Sequence, residues 1–200
     1  HGGPEAGSVR YDFSEAFNLT HPHAFQVPRD EFDALLFRRA GACGAELREG
    51  HEVSRIVFEG DRAVGVRLQH DNGDLEEVRA KVVVDATGQS ALISNRFNLL
   101  VKDPVLKKGA VWAYWKGAHR DSGRDEGATL VVQTKGKKGW FWYIPLHNDV
   151  VSVGIVRGFD ELFEGNRDHQ TIYNEEVENC PEVKRRVSVG TLCSKYHATK

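Results

Sequence analysis

Residues 81–88, Lys-Val-Val-Val-Asp-Ala-Thr-Gly, join a short, wholly apolar run to an acid and a glycine turn. A strand with no polar alternation is expected where both faces of a sheet are covered, as in parallel α/β layers. In such sheets, ligands gather outside the carboxyl ends of the strands. Gly88, without a Cβ, would let the backbone come close to a ligand there. Many buried strands also end in Asp and Gly for turn geometry alone, so this stretch carries two readings.

Upstream, Arg29-Asp30 opens RDEFDALLFRRAGACG. Phe32, Leu35 and Leu36 follow helical spacing, acids fill the first turn, arginines the last, and glycines follow, which predicts a helix over about 29–42. Residues 1–28 alternate weakly and are expected to be irregular. The segments Val53–Phe58, Ala63–Leu68 and Glu76–Arg79 are punctuated by Gly60-Asp61 and Asp71-Asn72-Gly73, the pattern of an antiparallel meander. Beyond residue 108, Ala110–Lys116, Ala128–Thr134, Gly139–Pro145 and Val150–Arg157 read as four more strands, followed by a helical stretch over about 166–179. The last twenty residues give no clear pattern. The fold class expected is α/β followed by α+β, the second part a mainly antiparallel sheet with helices.

One of those strands has an unusual spelling, Gly139-Trp140-Phe141-Trp142-Tyr143-Ile144-Pro145-Leu146. Period-two geometry puts Trp140, Trp142 and Ile144 on one face and Phe141, Tyr143 and Pro145 on the other. From composition alone, a bulky strand packed on both faces explains this as well as a binding surface does.

Bulk properties narrow the function classes. Charged residues make up 28% of the chain with a formal net charge of −2, which argues against a nucleic-acid partner. The short basic clusters Lys135–Lys138 and Lys184–Arg186 read as solvated turns and faces. No run approaches the ~18 apolar residues of a membrane span. Cys43, Cys180 and Cys193 are odd in number and lack a CxxC pair, so neither a disulfide framework nor a zinc site is expected, and a cytoplasmic setting fits. His21 and His23 form an HxH pair, whereas His147, His169 and His197 stand alone, and no metal site is expected. Hydrolase and NTPase signatures are missing.

The order helix, meander, VVVDATG resembles the FAD-binding domain of the para-hydroxybenzoate-hydroxylase-like flavoproteins, over roughly residues 25–98. Complete W-x-W-x-I-P at 140–145, followed by VVSVGIV at 150–156, resembles the flavin-dependent halogenases within that group. The resemblance implies a partial Rossmann-like FAD-binding domain with a β-meander over 24–98. It is joined to an antiparallel-sheet substrate domain formed by 1–23 and 99–200. By the same resemblance Arg29, Val53, Asp85, Ala86, Thr87 and Gly88 would contact FAD, while Trp140, Trp142, Ile144 and Pro145 would line the active site. An arginine at a helix start is poorly matched to the positive end of the helix dipole, and a nearby phosphate would explain it.

The implied chemistry uses reduced FAD from a separate flavin reductase, with oxygen and halide, on an aromatic or carrier-bound substrate. A family of this kind begins with strand–GxGxxG–helix and carries a catalytic lysine early. Neither is matched here, so no catalytic residue is assigned, and the chain is expected to be an internal fragment whose own hold on FAD is weakened. Two other readings stand beside it: a monooxygenase, dehydrogenase or reductase on the same scaffold, and a non-catalytic β-rich binding module.

Overall fold

The computed structural model describes residues 7, 9–15, 17, 20–101, 103, 105–165 and 167–199. The chain falls into two compact units, residues 33–103 and residues 1–32 with 104–200.

The smaller unit takes up helix α1 (Arg29–Ala42) from Asp33 onward and a three-stranded antiparallel meander, β1 (His51–Glu59), β2 (Arg62–His70) and β3 (Leu75–Arg79). The expected helix and meander are therefore present. Asp30 and Glu31 occupy the first turn of α1 and Arg39 the last, each complementing the helix dipole. Glu59 pairs with Arg62 across Gly60-Asp61, where Gly60 takes φ +59 and lets a two-residue loop close the hairpin. In the next turn Asn72 Oδ1 accepts from the Asp74 amide at 3.0 Å. A short helix, α2 (Leu92–Arg96), follows the valine run.

That run departs from expectation. Residues 81–87 form no strand, and Val82 and Val84 are 75% and 82% exposed. A buried parallel strand needs a ladder partner and a covering layer, and the described residues offer this run neither. Among the described residues of this unit, the sheet formed is the antiparallel meander.

The larger unit is built on a six-stranded antiparallel sheet: β4 (Lys108–Lys116), β5 (Leu130–Gln133), β6 (Gly139–Pro145), β7 (Val150–Gly158), β8 (Thr191–Leu192) and β9 (His197–Thr199). The order is β5-β6-β7-β4-β8, with β9 also paired to β4. The β-branched run of β7 suits its central place. Val151, Val153 and Ile155 are fully buried on one face, beside Val111 and Ala113 of β4 and Phe141 and Tyr143 of β6. Helices α3 (Phe159–Leu162), α4 (His169–Glu178) and α5 (Pro181–Val187) contribute Leu162, Ile172, Tyr173 and Val183 to the same core. Each such side chain contributes roughly 1.5–3 kcal/mol through burial.

Local chemistry fixes the helix starts. Asp168 caps α4 by accepting from the Thr171 amide at 2.8 Å, and Pro181 sits in the first turn of α5, where no amide is needed. The unpatterned C-terminal twenty residues thus hold all of α5 and two short strands. The Lys184–Arg186 cluster is not simply a solvated face: Arg186 is buried, held by Glu182 and Asp121. A guanidinium can be buried there because three charge-assisted hydrogen bonds replace its water. The expected irregular path over 1–28 is seen for the described residues, with one short 3-10 turn at Phe13–Glu15. At residues 1–6, 8, 16, 18 and 19 it lies outside the described residues. No described helix is long and apolar enough to cross a membrane.

Candidate functional site

Two surfaces carry the residues singled out in the sequence, one in each unit. In the smaller unit, Asp85 is the knot of a tight turn. Its Oδ1 accepts from the Thr87 amide at 3.1 Å and the Thr87 hydroxyl at 2.6 Å, and its Oδ2 accepts from the Ile93 amide at 2.7 Å. Thr87 Oγ1 in turn accepts from the Leu92 amide at 3.3 Å. Side chains thereby satisfy two of the free amides at the start of α2. These bonds, the Thr87 hydroxyl first, hold the Asp85 carboxyl below the usual carboxylate range.

Gly88 takes φ +59, and a Cβ built there would meet nothing within 4 Å. The glycine is therefore required by backbone conformation, and it presents bare backbone to open space. In the same unit a groove of about 490 Å³ runs between β1 and α2, lined by Ser54–Phe58, Leu92 and Arg96. Arg55 and Arg96 give it two cations. Val53 lies in β1 opposite Leu68, half-buried, one residue before this lining. Arg29, the first residue of α1, belongs to the other unit.

On the larger unit, the helices cover one face of the sheet. The other carries Trp140, Trp142 and Ile144 of β6, all partly exposed, Trp140 to 38%. Phe141, Tyr143 and Pro145 are buried on the helix-covered face. The expected alternation holds. Pro145, predicted as part of the same lining as the tryptophans, instead points into the core. Alternation itself imposes this, because position 145 shares its parity with 141 and 143.

Other strands of the sheet add groups that sequence reading missed. Trp112 of β4 lies 6.1 Å from Trp142 between ring centroids, and His197 of β9 stacks on Trp112 at 5.3 Å and 16°. Tyr114 meets the His197 edge at 5.9 Å. Ser152 Oγ accepts from Trp142 Nε1 at 3.1 Å. The alternation Ala110-Trp112-Tyr114 was a signal for β4, whereas nothing local could have brought in His197. The result is an aromatic ledge suited to stacking a planar ring.

A sequence model described as tryptophan halogenase matches residues 8–162. The chain belongs to that family. Among its relatives, a flavin-dependent halogenase of Pestalotiopsis fici is 30% identical over 190 residues, covering 82% of this chain and 35% of that protein. A tryptophan 2-halogenase of Chondromyces crocatus is 32% identical over 170 residues, covering 82% and 32%. The solved myxobacterial chondrochloren halogenase, an FAD-dependent halogenase, superposes with a TM-score of 0.79 at 28% identity, over 93% of this chain and 44% of that one. A flavoprotein/dehydrogenase from Cytophaga hutchinsonii has the same fold, with a TM-score of 0.81 at 24% identity. The chain thus spans about a third of the curated relatives' length.

Proposed function

We propose that this chain is part of an FAD-dependent halogenase that uses reduced FAD, oxygen and halide to halogenate an aromatic or carrier-bound substrate. The observation that carries the reading is the division of the W-x-W-x-I-P strand, whose tryptophans stand on the open face while Phe141 and Tyr143 anchor the core. A motif of this kind kept only for packing would bury its larger rings.

In this reading, residues 33–103 are the contributed part of the flavin domain, and residues 1–32 with 104–200 a portion of the substrate domain. The residues present suit part of an FAD. Bare backbone at Gly88 tolerates close approach, and Arg55 and Arg96 bring positive charge to the groove for a polyanionic ligand. Asp85 and Thr87 fix the turn, and Ala86 offers little steric bulk. Arg29 would face a phosphate and Val53 the adenine side. When bound, reduced FAD would supply the two electrons that bring oxygen to the peroxide level, and that oxygen would be the oxidant that takes halide to an electrophilic halogen. Trp140, Trp142 and Ile144 would then form a wall against which the substrate ring is oriented and from which water is excluded. A separate flavin reductase would supply reduced FAD, and the free thiols of Cys43, Cys180 and Cys193 support a cytoplasmic setting.

The test is to incubate the intact enzyme with chemically reduced FAD, oxygen, bromide or chloride and a panel of phenols, indoles and carrier-bound aromatics. Halogenated product by mass spectrometry is expected. Hydroxylated product alone would assign monooxygenase chemistry to the scaffold. Protein that stays colourless and takes up no FAD would mark a binding module.

A further inference from the structure

We infer that Ser152 and Gly154 of β7 are positioning residues that lock the Trp142 indole in place, making Trp142 the fixed wall of the ledge and Trp140 its adaptable edge. The inference deepens the halogenase reading and rests on it for its functional consequence, though not for its geometry.

Register supplies the first part of the case. Antiparallel pairing sets Trp142 opposite Gly154, Gly154 opposite Trp112, and Trp112 opposite His197. One row thus crosses four strands, β6-β7-β4-β9, and its side chains share the open face. Three of the four positions are rings, and the second is a glycine.

The glycine is there because the ring needs its space. A Cβ at Gly154 would lie 2.5 Å from Trp142 Cη2 and 2.6 Å from Trp112 Cβ, well inside van der Waals contact. The benzenoid end of Trp142 therefore lies across the β7 backbone. The same edge of the indole is tied down one row away, where Nε1 donates to Ser152 Oγ at 3.1 Å. Ser152 is only 8% exposed, so water competes little for that hydroxyl. Packed across the glycine and hydrogen-bonded along that edge, the indole is held in place. Trp112 then abuts it at 6.1 Å and 47°, and is itself backed by the stacked His197. Trp140, in the next row, faces Val156 rather than a glycine and is 38% exposed.

A wall that does not move can hold a stacked ring at one distance and angle, which is what site-selective substitution of an aromatic requires. Ser152 and Gly154 would act through Trp142 and touch no substrate themselves.

The experiment compares Ser152→Ala, Ser152→Thr and Gly154→Ala in the full-length enzyme, with Trp112→Phe as a control. Two indoles at this spacing and tilt should give an exciton couplet in the far-ultraviolet circular dichroism, and Trp112→Phe should abolish it. Ser152→Ala and Gly154→Ala are expected to cut the couplet by at least about half. KM for an aromatic substrate should rise roughly five- to tenfold, the factor corresponding to loss of one hydrogen bond, while kcat changes less. Ser152→Thr keeps the hydroxyl and should restore both. If Gly154→Ala does not fold, the serine pair decides. A full couplet in Ser152→Ala, or no rescue by threonine, overturns the inference. Wild-type enzyme with a couplet but no halogenation would sink the halogenase reading and leave the positioning of Trp142 standing.

Discussion

Replacing Arg186 by Met should destabilise the larger unit more than any surface change of similar size. Arg186 Nε donates to Glu182 at 2.7 Å, and its two terminal nitrogens donate to Asp121 at 2.8 and 3.0 Å, the paired geometry that suits guanidinium and carboxylate. Its guanidinium also sits 5.4 Å from the ring centre of Tyr143, a core residue. Side-chain exposure is 5% for Arg186, 26% for Asp121 and 19% for Glu182. Breaking a fully buried pair costs about 3–5 kcal/mol, most of it from the charge left behind. Here both acids keep some water, and Glu182 keeps Arg185 at 2.8 Å, so about 2–4 kcal/mol is expected.

Urea unfolding, followed by near-ultraviolet circular dichroism, gives the number. A triple variant with Asp121→Leu and Glu182→Leu added to Arg186→Met should recover most of the loss, because no charge is then stranded. A single-variant loss below about 0.5 kcal/mol would refute the argument, as that is the size of an exposed pair. The pH dependence follows from the shifts. Asp121 is lowered chiefly by its bond from Arg186. Glu182 is lowered from 4.5 to about 2, first by Arg185 and, against desolvation, by Arg186. Both folded values are depressed, so the stabilisation is complete above the unfolded values and is lost as pH falls toward 2. The gap between wild type and Arg186→Met should narrow over that window.

Tyr173→Phe removes the acceptor of Trp115 Nε1, 2.9 Å away in the core, and should cost about 1–3 kcal/mol in the same urea assay; an unchanged midpoint would mean the indole finds another partner. Asp85→Ala takes away three hydrogen bonds at the turn. Amide exchange at Thr87 and Ile93 should quicken while that of the β1–β2 hairpin stays as it is, and equal protection in both proteins would deny Asp85 its structural role.

Local signals were legible wherever they act over one element. The helix at 29–42 was readable from its acids, arginines and closing glycines, and the meander from Gly60-Asp61 and Asn72-Gly73, because capping and turn chemistry are satisfied by neighbours in the chain. The valine run 82–84 misled for the opposite reason: its apolar spelling describes a strand only when another strand lies beside it. Arg186 looked like part of a solvated cluster since its partner Asp121 is 65 residues away.

The same division holds at the ledge. Sequence by itself determined that Trp140, Trp142 and Ile144 share a face opposite Phe141 and Tyr143, because side chains along a strand must alternate. Tertiary structure decided which face the helices cover, that Gly154 and Ser152 lie beneath Trp142, and that His197 closes the row behind Trp112. Those facts depend on strand order and register, which bring distant segments into contact, and no periodicity within one segment encodes its neighbour.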